Sequence, residues 1–156
     1  MGKVKLRNMK DIKIAYIEHN GPYSEVPYGD YFNELISWAK SSTAKPKYRF
    51  YGIFHDDPNL VEPAKCRCDI AIQIKGDANG TEKIKIKTIA GQEMAMTKHN
   101  GPTDQYEETY ADLNKWVEDN GYEPNHSPIE QYVSKPKEKN GKIILKSIVY
   151  LPVKKK

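Results

Sequence analysis

The sequence has no long apolar run, few cysteines and little excess of charge. Its apolar stretches span only a few residues, as at 143–145, so no membrane-spanning helix and no membrane partner is expected. Residues 1–5 lack the apolar segment of a secretory signal, which favours a cytoplasmic protein. Without the basic tail at 154–156, 22 basic side chains face 21 acidic ones. This balance argues against direct nucleic-acid binding.

The two cysteines, Cys66 and Cys68, flank one arginine. On a strand such neighbours point to opposite faces, so they can neither share a metal nor readily form a disulfide. Two free thiols fit a reducing compartment. The chain also lacks a phosphate-binding loop, a nucleophile elbow and a glycine-rich dinucleotide motif. We therefore expect no cofactor.

The sequence contains an internal repeat of about 80 residues. The tetrapeptide His-Asn-Gly-Pro occurs at 19–22 and again at 99–102, an offset of 80. Beyond it, tyrosine, leucine, tryptophan and proline recur in the same order at an offset of 78. The pattern predicts a single domain over 1–156, with repeat one at about 1–78, repeat two at about 81–153 and a basic tail at 154–156.

Each repeat has the same predicted order of elements. Two alternating strands, at 4–7 and 12–18 or at 84–87 and 93–98, precede a Gly-Pro break. An amphipathic helix follows, and then two more strands at 48–55 and 67–74 or at 128–133 and 143–151. The prediction is an α+β fold: a tandem duplication of a strand-strand-helix-strand-strand module. It gives an eight-stranded, mostly antiparallel sheet with two helices and pseudo-two-fold symmetry.

Several motifs together resemble a known family. They are His-Asn-Gly-Pro-Tyr at 19–23, Asp-Asp-Pro at 56–58 before Cys-Arg-Cys-Asp at 66–69, Ile-Glu-Gln-Tyr at 129–132 before Pro136, and Tyr-Leu-Pro-Val at 150–153. In this order they are similar to the GyrI-like (gyrase-inhibitor-like) small-molecule-binding domain, which also serves as the effector-binding domain of multidrug-responsive transcription activators. The second repeat departs from the pattern, because Thr103 stands where the first has Tyr23.

The resemblance implies a stand-alone protein that binds hydrophobic or cationic small molecules. It also leaves two alternatives. Some family members resemble hydrolases that open strained cyclopropane-bearing genotoxins, using a glutamate and aromatic side chains. Others act through a protein partner, as gyrase inhibitors do.

Glu130 is the strongest candidate for a functional acid. It is the only acidic residue between Glu123 and Glu138, it lies on a predicted strand, and its repeat partner is Gly52. Strand alternation places Phe50, Gly52 and Phe54 on one face, and Pro128, Glu130 and Tyr132 on the equivalent face. A carboxylate present in one repeat only indicates an asymmetric ligand site, with Glu130 as the catalytic residue if the protein is an enzyme. The alternative is an exposed ion pair with a lysine.

The predicted pocket is aromatic. Its expected walls are Tyr16, Phe50, Phe54, Met96 and Tyr132, bordering one cavity. Aromatic faces attract organic cations, and the carboxylate would supply the counter-charge. A single β-bulge would invert the assignment of faces and bring in Tyr51, Ile53 and Gln131 instead.

His19 and His99 occupy equivalent places and raise the question of a metal. Zinc requires three or four ligands with ordered partners, and no Asp or Cys accompanies both histidines at ligand spacing. Strand-end histidines beside a Gly-Pro bend favour a structural role. We therefore expect no metal site.

Overall fold

The computed structural model describes residues 3–156, which form two compact units. The N-unit is Asp11–Ala90, and the C-unit is the chain up to Lys10 together with Gly91–Lys156. In chain order the elements are β1 (Lys5–Met9), β2 (Ile12–Asn20), α1 (Tyr28–Ser41), β3 (Lys45–Phe54), β4 (Arg67–Lys75), β5 (Ile84–Ile89), β6 (Gln92–Pro102), α2 (Tyr106–Asp119), β7 (Tyr122–Pro124), β8 (Ile129–Tyr132), β9 (Lys137–Lys139) and β10 (Lys142–Lys155). No helix among the described residues is long and apolar enough to cross a membrane.

The predicted fold class is confirmed: the structure is α+β, with antiparallel strands and two helices. In the N-unit, β3, β4, β2 and β5 lie side by side in that order, and every pairing is antiparallel. In the C-unit the order is β1, β6, β10 and β8, with the short strands β7 and β9 also paired to β10. One helix packs on the sheet of each unit.

The helices bury the stripes that their sequences predict. In α1, Tyr28, Phe32, Leu35 and Ala39 are buried, at the spacing of one helix face. In α2, Leu113 and Val117 are fully buried, while Tyr106 and Tyr110 pack against the same core cluster. The second helix ends where Gly121 adopts a φ of +80°, the left-handed conformation expected after a helix C-terminus.

The compact units are offset from the sequence repeats by one strand. β1 pairs with β6, which belongs to the second repeat, and β5 pairs with β2, which belongs to the first. Each repeat therefore contributes its first strand to the sheet that holds the other repeat's second strand. Both β1 and β5 are edge strands of alternating apolar and charged residues, so either is suited to close a sheet edge.

The Gly-Pro break forms in one repeat and not in the other. Gly21 has a φ of +133°, and β2 ends at the residue before it. By contrast, β6 continues through Gly101 and Pro102, which oppose Leu145 and Ile144 of β10. The prediction of a break at 101–102 is therefore wrong, because the 14-residue strand β10 pairs with β6 from Met94 as far as Pro102.

Candidate functional site

Glu130 is a buried acid held by tyrosine hydroxyls. It lies on β8 with only 3% of its surface exposed. The Tyr110 hydroxyl, from α2, donates a hydrogen bond of 2.6 Å to Oε2, and the Tyr132 hydroxyl donates one of 2.9 Å to Oε1. Both carboxylate oxygens therefore accept a hydrogen bond from a neutral phenol. The alternative of an exposed pair with a lysine is wrong.

Tyr106 extends this network by one helical turn. Its hydroxyl lies 2.6 Å from Ser147 Oγ on β10, and either oxygen is placed to donate. The ring stacks on His99 at 3.8 Å between centroids and 17° between planes. The Tyr106 hydroxyl also helps to lower the pKa of Glu130 by hydrogen bonding. Three tyrosines thus converge on one carboxylate.

His99 is fixed as a neutral ring beneath Tyr106. Its Nε2 lies 3.2 Å from the Pro102 carbonyl oxygen, which can only accept, so Nε2 carries the hydrogen. Its Nδ1 then accepts from the Thr109 hydroxyl at 2.8 Å. Burial lowers the pKa of His99, which keeps the ring uncharged near neutral pH. The histidine therefore orients Tyr106 without supplying positive charge to the site.

Glu130 has a raised pKa because its carboxylate is buried with no basic side chain beside it among the described residues. Burial raises its pKa to about 7, and the tyrosine hydrogen bonds offset only part of that increase. Among residues 3–156, no basic side chain lies within ion-pairing distance of its carboxylate. Keeping this group ionised is costly, so near neutral pH the site holds either a proton or an uncompensated charge.

Asp69 of the N-unit shows the contrasting arrangement. It is also 3% exposed, but its Oδ2 accepts hydrogen bonds from His55 Nε2 at 2.7 Å and from Lys87 Nζ at 2.6 Å. Burial would raise the pKa of Asp69, yet these two basic partners outweigh it and lower the pKa. Asp69 is therefore a structural acid neutralised within the fold, as buried charges ordinarily are. Within residues 3–156, Glu130 has no such basic partner.

The N-unit carries an apolar version of the Glu130 site. By sequence offset, Gly52 replaces Glu130, Phe32 replaces Tyr110 and Phe54 replaces Tyr132. By strand pairing, Cys68 opposes His19 and Phe54 as Ser147 opposes His99 and Tyr132. Phe32 packs on Phe50 at 4.6 Å between ring centroids. The carboxylate, the hydroxyls of Tyr110 and Tyr132, and Ser147 thus have apolar or weakly polar counterparts in the N-unit, whereas Tyr106 is matched by another tyrosine, Tyr28. The Tyr110 and Tyr132 hydroxyls therefore occur only in the repeat that holds the acid.

The strand register separates the other predicted wall residues. Phe50 and Phe54 lie on the face of the N-unit sheet that meets α1, as predicted from alternation. Tyr16 and Tyr51 lie on the opposite face, because both align with Ala71. Tyr51 bonds to Gln73, and the Lys87 ammonium lies 4.3 Å from the Tyr16 ring centroid.

Met96 is likewise on the other face from Glu130. It aligns with Tyr150 on β10, whereas Glu130 aligns with the preceding residue, Val149, whose side chain points to the opposite face. The structure therefore brings Glu130 and Tyr132 together and adds Tyr106 and Tyr110. In the N-unit Tyr16 is not on the face of Phe50 and Phe54. In the C-unit Met96 is not on the face of Glu130 and Tyr132. In the sequence, Tyr106 and Tyr110 fit the apolar face of an amphipathic helix, and two tyrosines one turn apart are the signal that could have revealed their role.

The aspartate and arginine of the family motif have a structural role in the N-unit. The Asp56 carboxylate accepts hydrogen bonds from Arg67 Nε at 2.9 Å, from its terminal nitrogen at 3.1 Å and from its backbone N–H at 2.8 Å. The Tyr23 hydroxyl accepts from the Asp56 N–H at 3.1 Å and lies 2.7 Å from the Arg67 carbonyl oxygen. Together these groups fasten the two ends of the β3–β4 loop.

We expect Tyr23→Phe to lower the free energy of unfolding by about 1–2 kcal/mol, because it removes a hydroxyl that satisfies two backbone groups. Urea denaturation measures the change. Tyr48→Phe is the matched control, because Tyr48 is 58% exposed on β3, and it should leave stability unchanged. Equal stability of both variants and the unmodified protein would contradict the role assigned to the Tyr23 hydroxyl.

The histidines of the repeated motif are engaged in side-chain contacts. His19 Nδ1 lies 3.0 Å from the Tyr31 hydroxyl, as His99 Nδ1 lies beside Thr109. In the described part of the chain, no group of three or more His, Cys, Asp or Glu side chains is placed to hold a metal ion.

A model of the GyrI-like small molecule binding domain matches residues 2–154. The chain belongs to this family. The resemblance noted in the sequence is thereby confirmed over nearly its whole length. Among curated relatives, this GyrI-like chain is 21% identical to the SPbeta prophage-derived candidate transcriptional regulator YosT of Bacillus subtilis, over 133 residues that cover 85% of the chain and 89% of YosT.

Solved structures share the GyrI-like fold. The C-terminal domain of EcmrR superposes with a TM-score of 0.79 at 19% identity, over 100% of this chain and 99% of that one. The chain spans 58% of the EcmrR chain in its DNA complex. A hydrolase encoded by lin2189 of Listeria innocua gives a TM-score of 0.65 at 15% identity, covering 97% of this chain and 92% of its own. SAV2435 bound to tetraphenylphosphonium gives 0.55 at 12% identity, covering 97% and 94%.

Proposed function

We propose that this GyrI-like domain binds amphipathic organic cations at Glu130. One observation carries the proposal: a fully buried carboxylate has tyrosine hydroxyls as its partners and no basic group within ion-pairing distance in the described chain. Asp69 shows that the same chain neutralises a buried acid when the acid is structural. The charge missing beside Glu130 is the one that a cationic ligand would bring.

Tyrosines suit such a ligand because they serve both ends of the interaction. Their hydroxyls donate to the carboxylate, which keeps its oxygens oriented, while their ring faces attract a cation by up to about 2 kcal/mol when water is excluded. Tyr106 and Tyr110 present two rings 6.2 Å apart on consecutive turns of α2. The apolar body of the ligand would pack on these rings. The solved structure of SAV2435, a protein of similar fold, is bound to tetraphenylphosphonium, a lipophilic cation of this kind.

Calorimetric titration with tetraphenylphosphonium tests the proposal. We expect Glu130→Gln to weaken binding at least tenfold, because a hydrogen bond or contact to a buried charge is worth about 1.5–3 kcal/mol. Glu138→Gln is the matched control, since it removes the same charge from an exposed position on β9 of the same unit. It should bind as the unmodified protein does. Equal affinities for all three proteins, or no binding to any of them, would contradict the proposal.

A second candidate is a hydrolase using the same acid. The pKa of about 7 at Glu130 suits a general acid or base, and Tyr110 and Tyr132 already hold both of its oxygens. Strained, cyclopropane-bearing electrophiles are the substrate class to try. Loss of turnover in Glu130→Gln, with retained binding of neutral analogues, would support this candidate. Absence of turnover in the unmodified protein across the panel would reject it.

A further inference from the structure

Ser147 and Tyr106 form a hydrogen bond in which either hydroxyl can be the donor. Their oxygens are 2.6 Å apart, and each can donate to the other. Tyr106 in turn hydrogen-bonds to the Glu130 carboxyl group, so the three residues form a chain: Ser147, Tyr106, Glu130. Ser147 and Glu130, at the two ends of the chain, are 2% and 3% exposed, and Tyr106 between them is half-buried. Its two possible directions have different consequences for the acid.

When Glu130 is ionised, the Ser147 hydroxyl donates to Tyr106, and Tyr106 donates to the carboxylate. When Glu130 is protonated, the carboxylic acid donates to the Tyr106 oxygen, and Tyr106 donates to Ser147. Both charge states are therefore accommodated by rotating hydroxyl hydrogens, with no movement of heavy atoms. Tyr110 and Tyr132 remain on the carboxyl oxygens in either case.

We propose that Glu130 exchanges a proton for the positive charge of the ligand, with the Tyr106–Ser147 pair as the reversible element. The inference rests on the proposed function and specifies how that site is regulated. Cation binding releases the proton from Glu130, and acidification expels the cation. Apparent affinity thus falls as the pH decreases and levels off when Glu130 is fully ionised.

Of the described groups around Glu130, named below, Glu130 is the one that changes its charge near neutral pH. Tyr106 and Tyr110 face it from α2, Tyr132 from its own strand, and uncharged Ser147 and Val149 from β10. His99, on β6, faces Tyr106, and burial keeps its pKa below the usual value. Burial raises the pKa of Glu130 to about 7, so the exchange falls within the physiological range.

Titration with tetraphenylphosphonium in buffers of different ionisation enthalpy counts the protons released. At about pH 7 we expect roughly half a proton per cation bound, approaching one near pH 6 and none near pH 9. Over the same range, affinity should fall about tenfold for each pH unit below about 7. Glu130→Gln should release no proton, and Glu138→Gln should match the unmodified protein.

Ser147→Ala separates the exchange from a merely structural role. The protonated state loses the acceptor for the Tyr106 hydrogen, whereas the ionised state loses only a donor to an oxygen that can do without it. Ser147→Ala should therefore release less proton and bind the cation several-fold more tightly near pH 6. Ser147→Thr, which keeps the hydroxyl, should behave as the unmodified protein does.

The outcomes distinguish the two claims. Binding that depends on Glu130 but has the same enthalpy in every buffer would overturn the proton exchange and leave the proposed function standing. Binding weakened by Ser147→Ala at every pH would overturn the role of the reversible pair. Failure of the unmodified protein to bind the cation even near pH 9 would overturn both the proposed function and the exchange.

Discussion

Glu130→Gln should make the protein more stable than the unmodified form at about pH 8, by roughly 3 kcal/mol. The pKa of this acid is about 7 in the fold, against 4.5 for an ordinary glutamate, and each pKa unit is worth about 1.4 kcal/mol. Because the folded state retains a proton that the unfolded chain releases, this contribution to stability is fully present below about pH 4.5 and is lost as the pH rises through about 7. Glutamine cannot ionise and avoids that loss.

Urea denaturation between about pH 4 and pH 9 measures the difference. The two stability curves should meet at the acid end and diverge towards the alkaline end. Glu138→Gln should follow the unmodified protein, because Glu138 is exposed. Parallel curves for Glu130→Gln and the unmodified protein would show that the buried acid carries no ionisation cost.

Introducing the acid into the other unit should have the opposite effect. We expect Gly52→Glu to lower the free energy of unfolding at about pH 8 by about 3–5 kcal/mol, since an uncompensated buried charge costs that much. Gly52 is buried, and its neighbours on the inner face of β3, Phe50 and Phe54, offer no hydrogen-bond donor. Its φ is not positive, so backbone strain does not contribute.

Two further variants separate charge from volume. Gly52→Gln adds a similar volume without an ionisable group, so Gly52→Glu should be the less stable of the two, increasingly so at high pH. Adding Phe32→Tyr and Phe54→Tyr to Gly52→Glu reproduces the hydroxyls of the C-unit and should recover about 1 kcal/mol or more for each. If Gly52→Glu is no less stable than Gly52→Gln at any pH, the tyrosines of the C-unit are not what makes Glu130 tolerable.

The sequence predicted most of the fold because its repeat and its periodicities agree. The helix stripes ending at Ala39 and Val117 are in place, and the inner face of Phe50, Gly52 and Phe54 is correctly assigned. Glu130 is a candidate from the sequence because the equivalent position of the other repeat holds glycine, Gly52. Local pattern was sufficient at these positions because only one face of each element is strongly apolar.

The wrong predictions concern features that a local sequence pattern does not determine: which face of a strand meets the helix, and which strands pair. In β2, Ile14, Ala15 and Ile17 are all fully or nearly fully buried, so alternation cannot tell which face meets the helix, and Tyr16 was misplaced with it. The sequence also could not predict that β1 pairs with β6 and β5 with β2. Both edge strands are short and alternate apolar and charged residues, so their patterns do not distinguish the two partners. The convergence of Tyr106 and Tyr110 on Glu130 required the tertiary register of α2 on its sheet.

The most direct test is a carbon-13 NMR titration of the Glu130 carboxyl group, with and without saturating tetraphenylphosphonium. In the ligand-free protein, the pKa should lie near 7. With the cation bound, the pKa should fall by at least about two units, because a neighbouring positive charge favours the ionised form. A Glu130 carboxyl group that titrates at the same pH in both samples, or near the ordinary glutamate value of 4.5 without ligand, would contradict the proposal that this acid binds a cation.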